Sequence, residues 1–190
     1  ANPEEFTIKS LGNKYVGHLP NASEKMATSV GRGLTSPIFF IDELAFLLNN
    51  RTMLGAALPA TTAARAKQKA KGEPYGVIMT TTAGKLDDRD GKFAHELIME
   101  AAKWNERFFD ALDEQDLEMI VRKASPGKTT TVYCVFNHRQ LGYDDTWLAQ
   151  TIERARSTGE DMLRDFYNKW TSGTQSHPLD SSILEIIKQS

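Results

Sequence analysis

A chain of 190 residues is long enough for one ordinary domain with its own core. Its 40% hydrophobic and 25% charged residues exclude a disordered chain, and a net charge of -2 excludes a bulk basic attraction to nucleic acid or membrane. The single cysteine, Cys134, excludes an internal disulfide and a thiolate zinc cluster.

No apolar run approaches the roughly 18 residues of a membrane span, and no signal-peptide pattern opens the chain. The lone cysteine fits a cytosolic setting. The chain starts at Ala1 without a methionine, which suggests a processed or excised piece.

Taken in order, "EFTIKS" and "NKYVGHL" predict two short strands joined at Gly12-Asn13 as a hairpin. "NASEKMATSV" predicts a short helix capped by Asn21 or Ser23 and broken by Gly31-Arg32-Gly33. Ile38 to Ile41 is continuously apolar, as in a parallel-sheet strand buried on both faces. Residues 44–71 read as helix interrupted near Pro59. "RAKQKAK" (65–71) reads as a solvated basic helix end, with nonspecific contact to DNA phosphates as the alternative. Tyr75 to Met79 predicts a second buried strand running into Thr80-Thr81-Thr82, and "KLDDRDG" a charged loop.

Phe93, Leu97, Trp104, Phe108 and Leu112 give residues 92–112 a helical spacing, and a second helix is expected over 114–123. "TTTVYCVFNH" predicts a strand entered from the turn Ser125-Pro126-Gly127, with Cys134 a core residue. Helices follow over 145–156 and 159–170, and the polar "TSGTQSHP" reads as a linker. Trp104, Trp147 and Trp170 read as packing groups. His18, His95, His138 and His177 are scattered and form no ligand-spaced set.

Alternating strands and helices indicate an α/β domain with a mainly parallel sheet, in which ligands sit outside the carboxyl ends of the strands. Two features fall at such ends: Asp42-Glu43 and the threonine run Thr80–Thr82. Adjacent acids closing a buried apolar run are unfavourable unless something compensates them, and a cation would do so. Apolar residues followed by Asp-Glu form the Walker B pattern, whose aspartate helps hold Mg2+ and whose glutamate orients the attacking water. The bland account is a strand ending in a solvated acidic turn, with the threonines as β-branched strand edge.

A Walker B site needs a phosphate cradle, Gly-x-x-x-x-Gly-Lys-Ser/Thr, opening a helix. Gly127-Lys128-Thr129 is a decoy: Arg122 stands at the first glycine position, "TTVYCVF" follows as strand, and the segment comes after the acid pair. It reads as a turn feeding a strand. The chain therefore lacks a cradle.

Three stretches, in order, resemble the large terminase subunit of tailed bacteriophages, the genome-packaging motor. "ASEKMATSVGRGLTSPIFFIDELAF" resembles that family's stretch from the post-cradle helix through Walker B. "GVIMTTTAGK" resembles its coupling motif, and "DDTWLAQTIERARSTGEDMLRDFYNKW" resembles the helical segment before its nuclease linker. The resemblance implies a partial P-loop-type, mainly parallel sheet flanked by helices, with a small later α/β lobe. Residues 1–124 would be the later part of an ATPase core, 125–170 a second ATPase subdomain, and 171–190 a linker towards an absent nuclease domain.

By the same resemblance, the cofactors are ATP and Mg2+. Asp42 helps hold the metal, Glu43 is the catalytic carboxylate, and Thr80, Thr81 and Thr82 sense the γ-phosphate and couple hydrolysis to motion. Arg32 takes the place of an arginine finger acting on a neighbouring subunit, a contribution of about 10³–10⁵ in rate; an arginine between glycines is otherwise an ordinary surface turn. The implied partners are double-stranded DNA, the portal protein, the small terminase subunit and a homo-oligomeric ring, with no membrane. The implied place is the host cytoplasm, docked on the procapsid.

The fragment alone should bind ATP poorly and hydrolyse little. Three alternatives remain: a helicase-like or DNA-repair ATPase, an inactive α/β assembly module, and a nuclease metal site drawing in Asp87, Asp88 or Asp90.

Overall fold

The structure, a computed structural model, describes residues 4–10, 12–17 and 36–172. The chain is α/β and divides into two compact units, Ala1–Thr81 and Thr82–Ser190. Among the described residues there are six strands, paired as three two-stranded sheets, and five α-helices. None of these helices is long and apolar enough to cross a membrane. The helix expected over 21–30, Arg32 and the residues from 173 onward lie outside the described residues.

In the first unit, β1 (Glu4–Ile8) and β2 (Asn13–Gly17) form the expected antiparallel hairpin. Gly12 makes the turn at φ 65°, a conformation that costs glycine little because it has no Cβ. Phe6 faces Tyr15 in the register, and their rings lie 6.5 Å apart.

The unit's other described residues form a βαβ arrangement. β3 (Ile38–Ile41) runs parallel to β4 (Gly76–Met79), with Ile41 opposite Met79. Between them lie a 3-10 turn, Leu44–Phe46, and the helix α1 (Asn50–Lys69). The buried positions of α1 are Asn50, Met53, Leu54, Ala57 and Thr61. That spacing lines one helical face, which joins Ile41, Leu44 and Ala45 in the core.

Burial of β3 on both faces is not what the chain adopts. Ile41 is buried and Phe39 half-buried, but Phe40 on the alternate face is 58% exposed. Ile78 of β4 is 54% exposed as well. The strand is apolar on both sides, yet in the described unit only one side is covered.

Pro59 does not interrupt α1 either. Proline removes one backbone donor and crowds the carbonyl four residues back, here that of Gly55. Beside it, three side chains converge on one carbonyl. Thr61 Oγ1, Thr62 Oγ1 and an Arg65 guanidinium nitrogen each donate to Leu58 O at 3.1 Å.

In the second unit, α2 (Arg89–Glu100) is capped by Asp88, whose carboxylate accepts from the Asp90 and Gly91 N–H groups at 3.1 and 2.9 Å. "KLDDRDG" is thus half loop and half helix start. The continuous helix expected over 92–112 is also corrected. It ends at Glu100, Ala101 turns extended (φ -80°, ψ 158°), and β5 (Ala102–Lys103) follows, then a 3-10 turn at Glu106–Asp110. The cause is tertiary. In a longer helix Glu100 O would accept from Trp104 N–H. Instead Ser125 Oγ and Gly127 N–H donate to it, at 2.5 and 3.0 Å. Trp104 N–H goes to Tyr133 O, 2.9 Å. Leu112, read as helical packing, is 93% exposed.

α3 (Glu114–Ala124) starts from the Asp113 cap and stops at the buried Ser125. The strand expected through "TTTVYCVFNH" shrinks to β6 (Val132–Tyr133), parallel to β5. Cys134 is exposed, not a core residue. α4 (Asp145–Ala155) begins at the Asp144 cap, and α5 (Gly159–Tyr167) is shorter than expected. Both end in left-handed residues, Arg156 and Asn168. Trp104 and Trp147 are more exposed than packing groups, though each meets another ring. Trp104 lies edge-on to Phe109, and Trp147 stacks on Tyr143 at 4.1 Å.

Thr171 is tied back rather than loose. It bridges Lys85 in parallel, Leu86 N–H donates to its carbonyl at 2.7 Å, and the buried Arg164 donates to its hydroxyl at 3.0 Å. Trp170 beside it meets His95 of α2 edge-on, 5.0 Å between centroids.

Two glycines should respond oppositely to a methyl group. A Cβ on Gly91 would collide with the backbone carbonyl of Lys85, whereas one on Gly55 would meet open space. Gly91→Ala should lower stability by about 1–3 kcal/mol. Gly55→Ala should raise it by about 0.5–1 kcal/mol, the helical advantage of alanine. Urea unfolding curves check both signs; equal midpoints for the two variants would contradict this packing.

Candidate functional site

The parallel register sets the site. Because Ile41 pairs with Met79, the next residues, Asp42 and Thr80, leave the two strand ends side by side. Backbone bonds continue past the strands. Thr80 N–H donates to Ile41 O at 2.9 Å, and Leu44 N–H donates to Thr80 O at 3.0 Å.

The side chains close the same gap. Thr80 Oγ1–H donates to Asp42 Oδ1 at 2.5 Å, and Glu43 N–H donates to that oxygen at 3.1 Å. Thr81 Oγ1 accepts from the Ala45 N–H at 3.0 Å. Two hydroxyls of one strand end therefore hold the turn that follows the other. Asp42, Glu43 and Thr80 are exposed, and Thr81 is half-buried. Thr82 is half-buried and opens the second unit.

Glu43 adopts the left-handed conformation, φ 52° and ψ 47°. For a side chain with a Cβ this costs roughly 1–2 kcal/mol. It aims the Glu43 N–H back at the Asp42 carboxylate and places the Glu43 carbonyl to accept from Phe46 N–H at 2.9 Å. Of these two exposed acids, one is held by two donors and the other sits on a left-handed corner.

A buried asparagine supports this corner from below. Asn50, fully buried at the start of α1, donates from Nδ2 to Leu44 O at 3.0 Å. The only sequence signal for it was the pair Asn49-Asn50 before a helical stretch. Asn49 takes the left-handed conformation (φ 58°) that asparagine tolerates better than most residues.

Asp42 Oδ1 is taken up by its two donors, and Oδ2 has no hydrogen-bond partner among the described residues. Mg2+ is commonly held by one or two carboxylates together with substrate phosphates and several waters, and of these Asp42 supplies one carboxylate oxygen, Oδ2. Among the described residues no group of three or more His, Cys, Asp or Glu could hold a metal. Asp88 is occupied as a helix cap.

The Gly127-Lys128-Thr129 decoy is a turn, as expected. Ser125 Oγ receives the Thr129 N–H at 3.0 Å, and Lys128 takes φ 56°. It opens no helix and forms no phosphate cradle.

A second polar cluster lies at the start of α4. Asp145 accepts from Arg139 through both oxygens, at 3.1 and 2.5 Å, and Oδ1 lies 2.8 Å from His138 Nε2. The Arg139 hydrogen bond, then that of His138, holds the Asp145 carboxyl down to about 2. A lowered carboxyl contributes stability above its unfolded value and loses it as pH falls through the folded one. The cluster should therefore survive down to pH near 4 and come apart towards pH 2.

Two measurements test this geometry. Thr81→Val removes the acceptor of the Ala45 N–H, so hydrogen exchange at that amide should speed up, with a stability loss of about 1–3 kcal/mol for an unsatisfied donor; unchanged exchange would contradict the bond. Arg139→Gln should move the Asp145 carboxyl midpoint, followed by NMR, upward towards the ordinary aspartate value, and an unmoved midpoint would contradict the pairing. No family model, curated protein or solved structure matches the chain.

Proposed function

We propose that this chain is part of the ATPase domain of a viral DNA-packaging motor of the terminase large-subunit kind. In the whole protein it would couple ATP hydrolysis to movement of double-stranded DNA into a capsid. One observation carries the proposal: Asp42 and Thr80 meet at the carboxyl ends of two adjacent parallel strands, joined by a hydrogen bond. That is the edge where ligands bind in parallel α/β sheets. A partial P-loop-type core is the architecture this implies, with the phosphate cradle supplied from outside these 190 residues.

In this account Asp42 helps hold Mg2+ through Oδ2 or a water on it, and the metal supplies charge neutralisation on the transferred phosphoryl group. Glu43 orients the attacking water. Its left-handed corner, fixed by the bond from its own N–H to Asp42, sets its position relative to the metal-binding carboxylate. Thr81 pins the following turn through Ala45, so a change at either strand end is felt at the other. Arg32 would act as a finger on the next subunit of a ring. The portal protein and the small terminase subunit would be partners, and the host cytoplasm at the procapsid the place of action.

The test uses the parent polypeptide that carries this chain together with a phosphate cradle. Glu43→Gln should reduce ATP turnover by about 10²–10⁴, the usual worth of a positioned acid or base. DNA entry into capsids should stop with it. Turnover equal to the parent protein's would overturn the proposal and favour an assembly module. Turnover lost without any capsid-dependent DNA uptake by the unsubstituted protein would favour a helicase-like or repair ATPase.

A further inference from the structure

We propose that Thr80 is a positioning residue for Asp42, turning the carboxylate so that Oδ2 is the oxygen offered to a divalent cation. The inference rests on the ATPase proposal and goes beyond it, since the family resemblance makes Thr80 a γ-phosphate sensor.

Three bonds fix Thr80 to the 41–44 segment. Its N–H reaches Ile41 O at 2.9 Å, its carbonyl receives Leu44 N–H at 3.0 Å, and its hydroxyl reaches Asp42 Oδ1 at 2.5 Å. Threonine has a stiff, β-branched χ1, so a residue held at both backbone groups keeps its hydroxyl in one direction. A hydroxyl has one proton to donate. While that proton lies on Asp42 it is not available to a phosphate oxygen.

The consequence falls on the carboxylate. Oδ1 receives both Thr80 Oγ1–H and Glu43 N–H, which uses up its lone-pair directions. Oδ2 is the oxygen these donors leave over. Partners that orient a ligand in this way are known to matter for metal affinity even though they never touch the ion. Thr80 would thus set how tightly the cation binds, and the chemistry at the phosphate would fall to other groups.

The experiment titrates the isotope-labelled chain with Mn2+ and follows paramagnetic broadening of the amides of Asp42 to Ala45. Thr80→Val should raise the Mn2+ concentration for half-maximal broadening by about tenfold to a hundredfold. Thr80→Ser, which restores the hydroxyl, should return it near the original value. Thr80→Ala reads the same loss if valine disturbs the strand end. An unchanged concentration for both Thr80→Val and Thr80→Ala, with broadening abolished by Asp42→Asn, would overturn the Thr80 role and leave the cation site standing. Broadening that persists in Asp42→Asn, or is absent from the unsubstituted chain, would overturn the cation site and the Thr80 role together. In the parent ATPase, Thr80→Val should raise the Mg2+ concentration needed for half-maximal turnover. A fall in maximal turnover at an unchanged Mg2+ requirement would instead identify a phosphate sensor and overturn the inference.

Discussion

The bond from the Thr80 hydroxyl to the Asp42 carboxylate is the contact on which the proposed site depends. It exists because β3 and β4 run parallel in a register that brings residues 42 and 80 to adjacent ends. An antiparallel pairing, or a slip of one residue, would place one of the two groups elsewhere. Backbone bonds on either side make the register hard to shift. Gly76 N–H reaches Pro37 O at one end of the ladder, and Leu44 N–H reaches Thr80 O at the other.

Around that contact the chain accepts local costs. Glu43 and Asn49 both adopt left-handed backbone, bracketing the buried residues Leu44 and Ala45. Asn50 is fully buried, with its amide on Leu44 O. Strain of this kind persists only where the surroundings over-determine it, and it concentrates at binding and catalytic sites. Here the surroundings are α1, whose buried face starts at Asn50, and the two threonine hydroxyls from β4's end. The second unit shows the same economy of small contacts at Ser125, which satisfies Glu100 O and Thr129 N–H and ends one helix while starting a turn.

Short-range signals in the sequence carried the hairpin, both parallel strands and the starts of α3, α4 and α5, because turn residues and caps act within a few positions. Asp113 and Asp144 cap α3 and α4, whose starts were legible, whereas Asp88 caps α2 inside a stretch read as loop and α5 starts without a side-chain cap bond. The meeting of the two strand ends at the candidate site was legible for a similar reason: apolar run, acids, and a second apolar run ending in threonines at the same kind of strand end. What stayed hidden was tertiary. The helical spacing of 92–112 was real in composition, but Ser125 and Gly127, more than 20 residues later, captured the Glu100 carbonyl and ended the helix. Pro59 signalled a break, but the helix runs through it from Asn50 to Lys69. The open faces of Phe40 and Ile78 could not be read either, since apolar letters do not say whether a second layer covers them.

The most direct test of the central claim is a crystal structure of the parent polypeptide with Mn2+ and a non-hydrolysable ATP analogue, recorded for anomalous scattering. The account predicts a metal peak beside Asp42 on its Oδ2 side, with the Thr80 hydroxyl still on Oδ1 and the γ-phosphate against the same sheet edge. A metal bound elsewhere, or an Asp42 side chain turned away from Thr80 in the nucleotide complex, would contradict it.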